Sequence, residues 1–142
     1  MPAKTITGGC FCGAIRWEAA NLFDAGYCHC SICRRISGAP VFAFASFKVD
    51  DFRLTRGSPK TFASSDTGRR EFCGDCGSAV YFHADGWPYV SVGIGSFDNP
   101  NDVRPTMHQC EADRLAWFDT TDNLPRFRTN KNISHPRERI RP

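Results

Sequence analysis

At 142 residues the chain suits one domain with a single core, and 41% hydrophobic with 13% aromatic residues argues for a packed globule rather than a disordered chain. The net charge of +3 is unevenly placed: residues 126–142 carry six basic groups against Glu138, +5, which leaves −2 on the first 125 residues and excludes that body as a nucleic-acid surface on charge grounds. No apolar run near the N-terminus resembles a secretory signal and none approaches the roughly 20 residues of a membrane span, so a cytoplasmic protein is expected.

In chain order, Ala14 to Glu18 alternates Ile15 and Trp17 with polar neighbours and predicts the first strand. Segment 31–37, Ser-Ile-Cys-Arg-Arg-Ile-Ser, predicts one or two helical turns. Pro40 to Phe47 then spaces Phe42, Phe44 and Phe47 among small residues, as a strand does. Phe52 to Thr55, Lys60 to Ala63, Ser78 to His83, Tyr89 to Ile94 and Leu115 to Asp119 continue the series, with residues 98–102 as a loop. No long segment has helical periodicity and no repeat of solenoid length is present. The expected fold is mainly β, with antiparallel sheets and few short helical turns. Residues 1–125 form the expected domain and 126–142 a basic C-terminal tail, unstructured from about residue 130.

Seven of the eight cysteines fall in three clusters: Cys10 and Cys12; Cys28, Cys30 and Cys33; Cys73 and Cys76. In a reducing compartment such clusters indicate metal binding before disulfides. Thiolates two or three residues apart can occupy two corners of a zinc tetrahedron from one tight turn, and Gly13, Gly74 and Gly77 beside the clusters suit such turns. Counting ligands gives Cys10, Cys12, Cys73 and Cys76 as one saturated zinc site. Cys28, Cys30 and Cys33 form a second with an open position, the mark of a catalytic or substrate-binding metal. Iron also accepts such ligands. Buried inert thiols, a disulfide framework, or a redox pair at Cys73 and Cys76 are the competing readings. The triple could instead close its shell with His29, His83, His108 or Cys110. Taken alone, Cys110 is expected in the core, as are Phe42, Phe44 and Trp87.

Three passages resemble the glutathione-dependent formaldehyde-activating enzyme and centromere protein V family: Gly9-Cys10-Phe11-Cys12-Gly13-Ala14-Ile15, Cys28-His29-Cys30-Ser31-Ile32-Cys33-Arg34 and Phe72-Cys73-Gly74-Asp75-Cys76-Gly77-Ser78. A looser echo follows in residues 92–98 and 104–108. The resemblance implies a zinc-stabilised, β-tent-like fold and the same division of ligands, with Cys28, Cys30 and Cys33 at the functional metal. It also implies a carbon–sulfur lyase related to S-(hydroxymethyl)glutathione synthase. The expected partners are a small thiol such as glutathione and an aldehyde. A homo-oligomer is an option, and neither a membrane nor nucleic acid is expected.

Three thiolates on one Zn²⁺ leave a net negative charge, which suits thiol activation better than carbonyl polarisation. Arg34 and Arg35 are candidates for offsetting that charge or binding a substrate carboxylate, against a role as solvated surface charges. His29 is a candidate general acid, against an outward-pointing histidine. Ser64, Ser65 and Asp66 are candidate cleft residues. The alternative function is a zinc-stabilised binding module without turnover, whose basic tail engages a protein or nucleic-acid partner.

Overall fold

The computed structural model describes residues 3–129, where the short alternating runs pair into two sheets. In chain order the strands are β1 (Ile6–Gly9), β2 (Arg16–Ala19), β3 (Asp24–Cys28), β4 (Phe42–Lys48), β5 (Phe52–Arg56), β6 (Lys60–Ala63), β7 (Gly68–Phe72), β8 (Ala79–Ala84), β9 (Tyr89–Gly93) and β10 (His108–Gln109). A three-stranded sheet has the order β1-β2-β5, and a seven-stranded sheet the order β10-β3-β4-β9-β8-β7-β6. Neighbours run antiparallel except β10, which lies parallel to β3 with Gln109 opposite Cys28. The fold is thus mainly β, as the sequence indicates. The expected unstructured end and most of the basic tail lie outside the described residues.

The single α-helix among the described residues, α1 (Ser31–Ser37), is bounded by its own chemistry. The Cys33 N–H donates to Cys30 Sγ at 3.3 Å, a thiol serving as N-cap. Gly38, at φ 65°, closes the other end by donating its N–H to the Arg34 carbonyl at 2.8 Å. No helix of the described residues is long and apolar enough to cross a membrane.

The main core lies between the sheets. Ile6, Trp17 and Ala19 of the small sheet pack with Ala45, Phe47, Val80, Val90 and Val92 of the large one. Strand β4 divides its side chains by the period of two: Ala45 and Phe47 enter that core, while Phe42 and Phe44 join a second apolar cluster with Cys28 and Met107. Gly8 permits the sheets to close. A Cβ there would lie 2.4 Å from the Trp17 ring and 2.5 Å from the Ser96 carbonyl oxygen.

Strands β1, β3, β7 and β10 were not evident in the sequence. Ile-Thr-Gly-Gly ends in two glycines, Asp-Ala-Gly-Tyr-Cys and Gly-Arg-Arg-Glu-Phe have no β-branched residue, and neighbouring strands recruit all three. Conversely, Leu115 to Asp119 is not a strand. The Arg114 guanidinium donates to the carbonyls of Leu115 at 3.1 Å and Phe118 at 2.7 Å, folding the segment into a turn with Trp117 exposed. Backbone hydrogen bonds continue beyond it: Phe127 donates to the His108 carbonyl at 2.9 Å and Cys110 to that of Thr129 at 3.3 Å.

Phe47 is fully buried at the centre of the main core. Phe47→Ala is expected to lower the free energy of unfolding by about 3–5 kcal/mol in a denaturant titration, against under 1 kcal/mol for exposed Phe11→Ala.

Candidate metal centres and cleft

Two hairpin tips build the first cysteine group. The β1–β2 turn holds Cys10 and Cys12, with the Gly13 N–H on the Cys10 carbonyl at 3.2 Å and Gly13 at φ 81°. The β7–β8 turn repeats the plan: Gly77, at φ 76°, donates to the Cys73 carbonyl at 2.9 Å. Glycine suits both left-handed positions because it has no Cβ to clash. The four sulfurs lie within 4.8 Å of one another, with Cys10 to Cys12 at 3.6 Å and Cys12 to Cys73 at 3.8 Å. Tetrahedral zinc with Zn–S of about 2.3 Å places its sulfurs about 3.8 Å apart, so the donor set fits.

Neighbouring donors favour negative charge on two of these sulfurs, Cys10 and Cys76. The Ile15 N–H points at Cys10 Sγ at 3.2 Å. Burial pushes the Cys10 thiol up, but this N–H and the thiols of Cys12 and Cys73 outweigh it, and its pKa is lowered. The Ser78 hydroxyl, 3.2 Å from Cys76 Sγ, and the Ser78 N–H bring Cys76 down to about 5.

The second group forms at the end of β3. Cys28 ends the strand, Cys30 caps α1 and Cys33 sits in its first turn, and their sulfurs again lie within 4.8 Å of one another. The Cys30 pKa is strongly lowered, because thiols of Cys110, Cys28 and Cys33 donate to it. The Cys28 thiol is correspondingly raised by the same arrangement. Such a nest, already holding negative charge on one sulfur, can hold a thiophilic cation. All eight cysteines are free of disulfides.

His29, expected to point outward, is fully buried. Its Nε2 lies 2.8 Å from His108 Nδ1, and His108 Nε2 lies 3.0 Å from Asp122 Oδ1. An ionised carboxylate only accepts, so His108 donates from Nε2 and receives the His29 Nε2–H at Nδ1. That leaves His29 Nδ1 as a bare lone pair, which is buried without a partner. Burial lowers the His29 pKa, keeping it neutral. The Thr120 hydroxyl, the Leu124 N–H and His108 hold the Asp122 carboxyl well below the usual range. Glu111 also approaches His29 Nε2, at 3.8 Å, but it is held by Arg126 at 3.0 and 3.1 Å and by Arg114 at 3.2 Å.

A cleft of about 1020 Å³ opens beside the second cysteine group. Strand register makes its floor: Ser46 faces Ser91, Ser91 faces Phe82 and Phe82 faces Arg70, one row across β4, β9, β8 and β7. All four line the cleft, and the Arg70 guanidinium stacks 4.6 Å from the centroid of the Phe82 ring. Phe42, Phe44 and Trp87, expected in the core, line it too; Phe44 is buried and the other two are half-buried.

The arginines of the cleft are Arg70 and Arg128, not Arg34 or Arg35; Arg35 is exposed on α1. Ser64, Ser65 and Asp66 are also absent from its lining. They form the β6–β7 turn, where the Gly68 N–H donates to Ser65 Oγ at 2.8 Å. Arg70, Arg128 and Asp122 escaped the sequence reading because nothing in their neighbours distinguishes them. Cys110, expected in the core, packs against the Cys28 group.

The family model of the glutathione-dependent formaldehyde-activating enzyme matches residues 5–113. A Halomonas elongata protein named as a candidate glutathione-dependent formaldehyde-activating enzyme is 28% identical over 125 residues, 80% of each chain. An uncharacterised lyase of Schizosaccharomyces pombe is 33% identical over 122 residues, covering 84% of this chain and 88% of its own. A crystal structure of a Rhodobacter sphaeroides protein superposes with a TM-score of 0.55 at 28% identity, covering 68% of this chain and 93% of that one.

The histidine pair yields a pH-dependent expectation. A buried neutral histidine with a lowered pKa contributes stability above its ordinary value of 6.5 and loses it as pH falls through the lowered one. In NMR titrations the His29 ring is expected to remain neutral well below pH 6.5; an ordinary titration midpoint there would contradict the buried pair.

Proposed function

Because this chain belongs to the glutathione-dependent formaldehyde-activating enzyme family, we propose that it is a zinc-dependent carbon–sulfur lyase joining a small thiol such as glutathione to an aldehyde. The observation that carries this reading is the position of Cys28, Cys30 and Cys33 on the wall of a cleft large enough for a tripeptide-sized thiol. Cys10, Cys12, Cys73 and Cys76, on two hairpin tips, would hold a structural zinc. Cys28, Cys30 and Cys33 would hold the functional one. A zinc ion there supplies deprotonation of a substrate thiol at neutral pH.

The chain's own residues do the rest. The guanidinium groups of Arg70 and Arg128 offer paired donors to the carboxylates of a glutathione-like substrate. Phe42, Phe44, Phe82 and Trp87 provide apolar walls that limit water around the reacting sulfur. The sulfur lone pair forms the new bond to the aldehyde carbon and the carbonyl π electrons move to oxygen. That oxygen takes up one proton, equal to the one the thiol released, so thiol and aldehyde sum to an S-hydroxyalkyl product. The reverse reaction is the lyase direction. His29 and His108 would act by position: their pair ties the segment between Cys28, at the end of β3, and Cys30, at the start of α1, to β10, and buried His29 does not reach the cleft as a general acid.

Eight free cysteines suit a reducing cytoplasm, the proposed compartment. A zinc-stabilised binding module with a basic tail is the rival reading. The cleft beside the three thiols favours the enzyme, and Arg126 at the start of that tail is already engaged by Glu111 and Asp119.

Metal content and thiol–aldehyde condensation of purified variants test the proposal. Cys30→Ser is expected to lose one zinc per chain and at least 100-fold in kcat/KM while remaining folded. Cys73→Ser should lose the other zinc and much of its thermal stability. Arg70→Ala should raise KM for glutathione with little change for a thiol lacking carboxylates. Condensation at the wild-type rate in Cys30→Ser would refute the proposal.

A further inference from the structure

The apolar stripe of α1 faces the cleft instead of the core. None of the helix's residues is buried, yet Ile32 and Ile36, one turn apart and therefore on one face, both line the cleft. A surface helix ordinarily turns such a stripe inward. This one turns it toward the space beside the Cys28, Cys30 and Cys33 group, and Ile36 stays 42% exposed.

Strand β4 continues the same apolar surface. Phe42 stands opposite Cys28 and packs with Cys30 and Cys33 into the cluster around it. Glycines on the flanking strands seat the rings. A Cβ at Gly93 of β9 would lie 3.0 Å from the Phe42 ring, and one at Gly26 of β3 would lie 3.1 Å from the Phe44 ring. Rings packed onto bare backbone have little room to shift, so the surface beside the sulfurs is preformed.

The polar groups of the cleft floor lie farther off. Ser46, whose hydroxyl is 3.1 Å from that of Ser91, comes four residues after Phe42 on β4, about 13 Å along an extended strand. Arg70 is on β7, three strand spacings from β4, or about 14 Å. Arg128, the other cation, enters from the chain beyond β10. The floor therefore divides into an apolar part at the sulfurs and a polar part beyond them. Carboxylates of the thiol suit the guanidinium groups. Formaldehyde adds one carbon with two hydrogens and covers little of the apolar part, whose wetted area a bound hydrocarbon would remove from water.

We propose that the aldehyde substrate carries a hydrocarbon substituent of several carbons, which lies against Ile32, Ile36, Phe42 and Phe44. This rests on the lyase reading above and names the substrate class of that same site. The bond formed joins the thiol sulfur to the aldehyde carbon, and the carbonyl oxygen takes up a proton equal to the one the thiol releases. The substituent on that carbon passes unchanged into the product, so its contacts serve both directions of the reaction.

The test pairs calorimetric binding of two stable product analogues with turnover by the metal-loaded full chain. S-hexylglutathione is expected to bind on the order of 30-fold or more tightly than S-methylglutathione, each buried methylene contributing about fourfold. With glutathione, hexanal should exceed formaldehyde on the order of tenfold in kcat/KM above the uncatalysed rate. Ile36→Ser should cut both preferences by about three- to tenfold. Leu22→Ser, at a side chain equally exposed but outside the cleft, should leave them as in the wild type. Equal binding of the two analogues, or preferences untouched by Ile36→Ser, would overturn the assignment; turnover of formaldehyde would then leave the lyase reading standing. Faster turnover of hexanethiol with formaldehyde than of glutathione with hexanal would give the apolar surface to the thiol and overturn it as well. No turnover with either aldehyde would refute the lyase reading itself, and the aldehyde assignment with it.

Discussion

The close approach of four sulfurs from two hairpin tips is the constraint on which the two-sheet arrangement depends. Cys10 and Cys12 join β1 to β2 in the small sheet, whereas Cys73 and Cys76 join β7 to β8 in the large one. Sixty-one residues separate Cys12 from Cys73, whose sulfurs lie 3.8 Å apart. Thiolates so close repel one another, and a divalent cation held by them would convert that repulsion into a clasp between the sheets. Closing a loop costs entropy that rises with its length, so joining these distant tips opposes a larger entropy than a local turn would. The packing of Trp17 against Phe52 and Phe97 lies between the sheets that this clasp joins.

Once the small sheet covers one face of the large sheet, the other face is left to build the cleft. The period of two along β4 makes this division residue by residue. Phe47 enters the core, and Ser46 beside it enters the cleft floor, where its hydroxyl lies 3.1 Å from that of Ser91. Cross-strand register then carries the floor to Arg70, a cation delivered by β7 and braced on Phe82. Strand order thus supplies the floor and its cationic end, while Cys30 and Cys33 at the start of α1, Trp87 between β8 and β9, and Arg128 beyond β10 complete the cleft.

The second cysteine group is held differently from the first. Its three thiols are local, so the demand falls on orienting them, not on gathering them. Asp122 orients His108, His108 receives His29, and His29 stands between two of the sulfur-bearing residues. The chain of donors fixes the end of β3 from its buried side while the sulfurs face the cleft. Glu111, clamped by Arg114 and Arg126, neutralises the same region without entering the hydrogen bond between the rings.

Short-range relations were legible in the amino-acid sequence by itself. The cysteine clusters, the β class, the turn over 31–37 and the strands at 52–55 and 60–63 depend on a few dihedral angles or on alternating side chains, and neighbouring residues specify both. Strands rich in glycine or arginine, such as β1 and β7, could not be read this way, because their pairing energy belongs to their neighbours. The burial of His29, the row from Ser46 to Arg70, the turn at 115–119 and the approach of Cys110 to Cys28 were decided only by tertiary structure. Each depends on register between distant segments, and a slip of one residue would send these side chains to the opposite face without changing any local pattern.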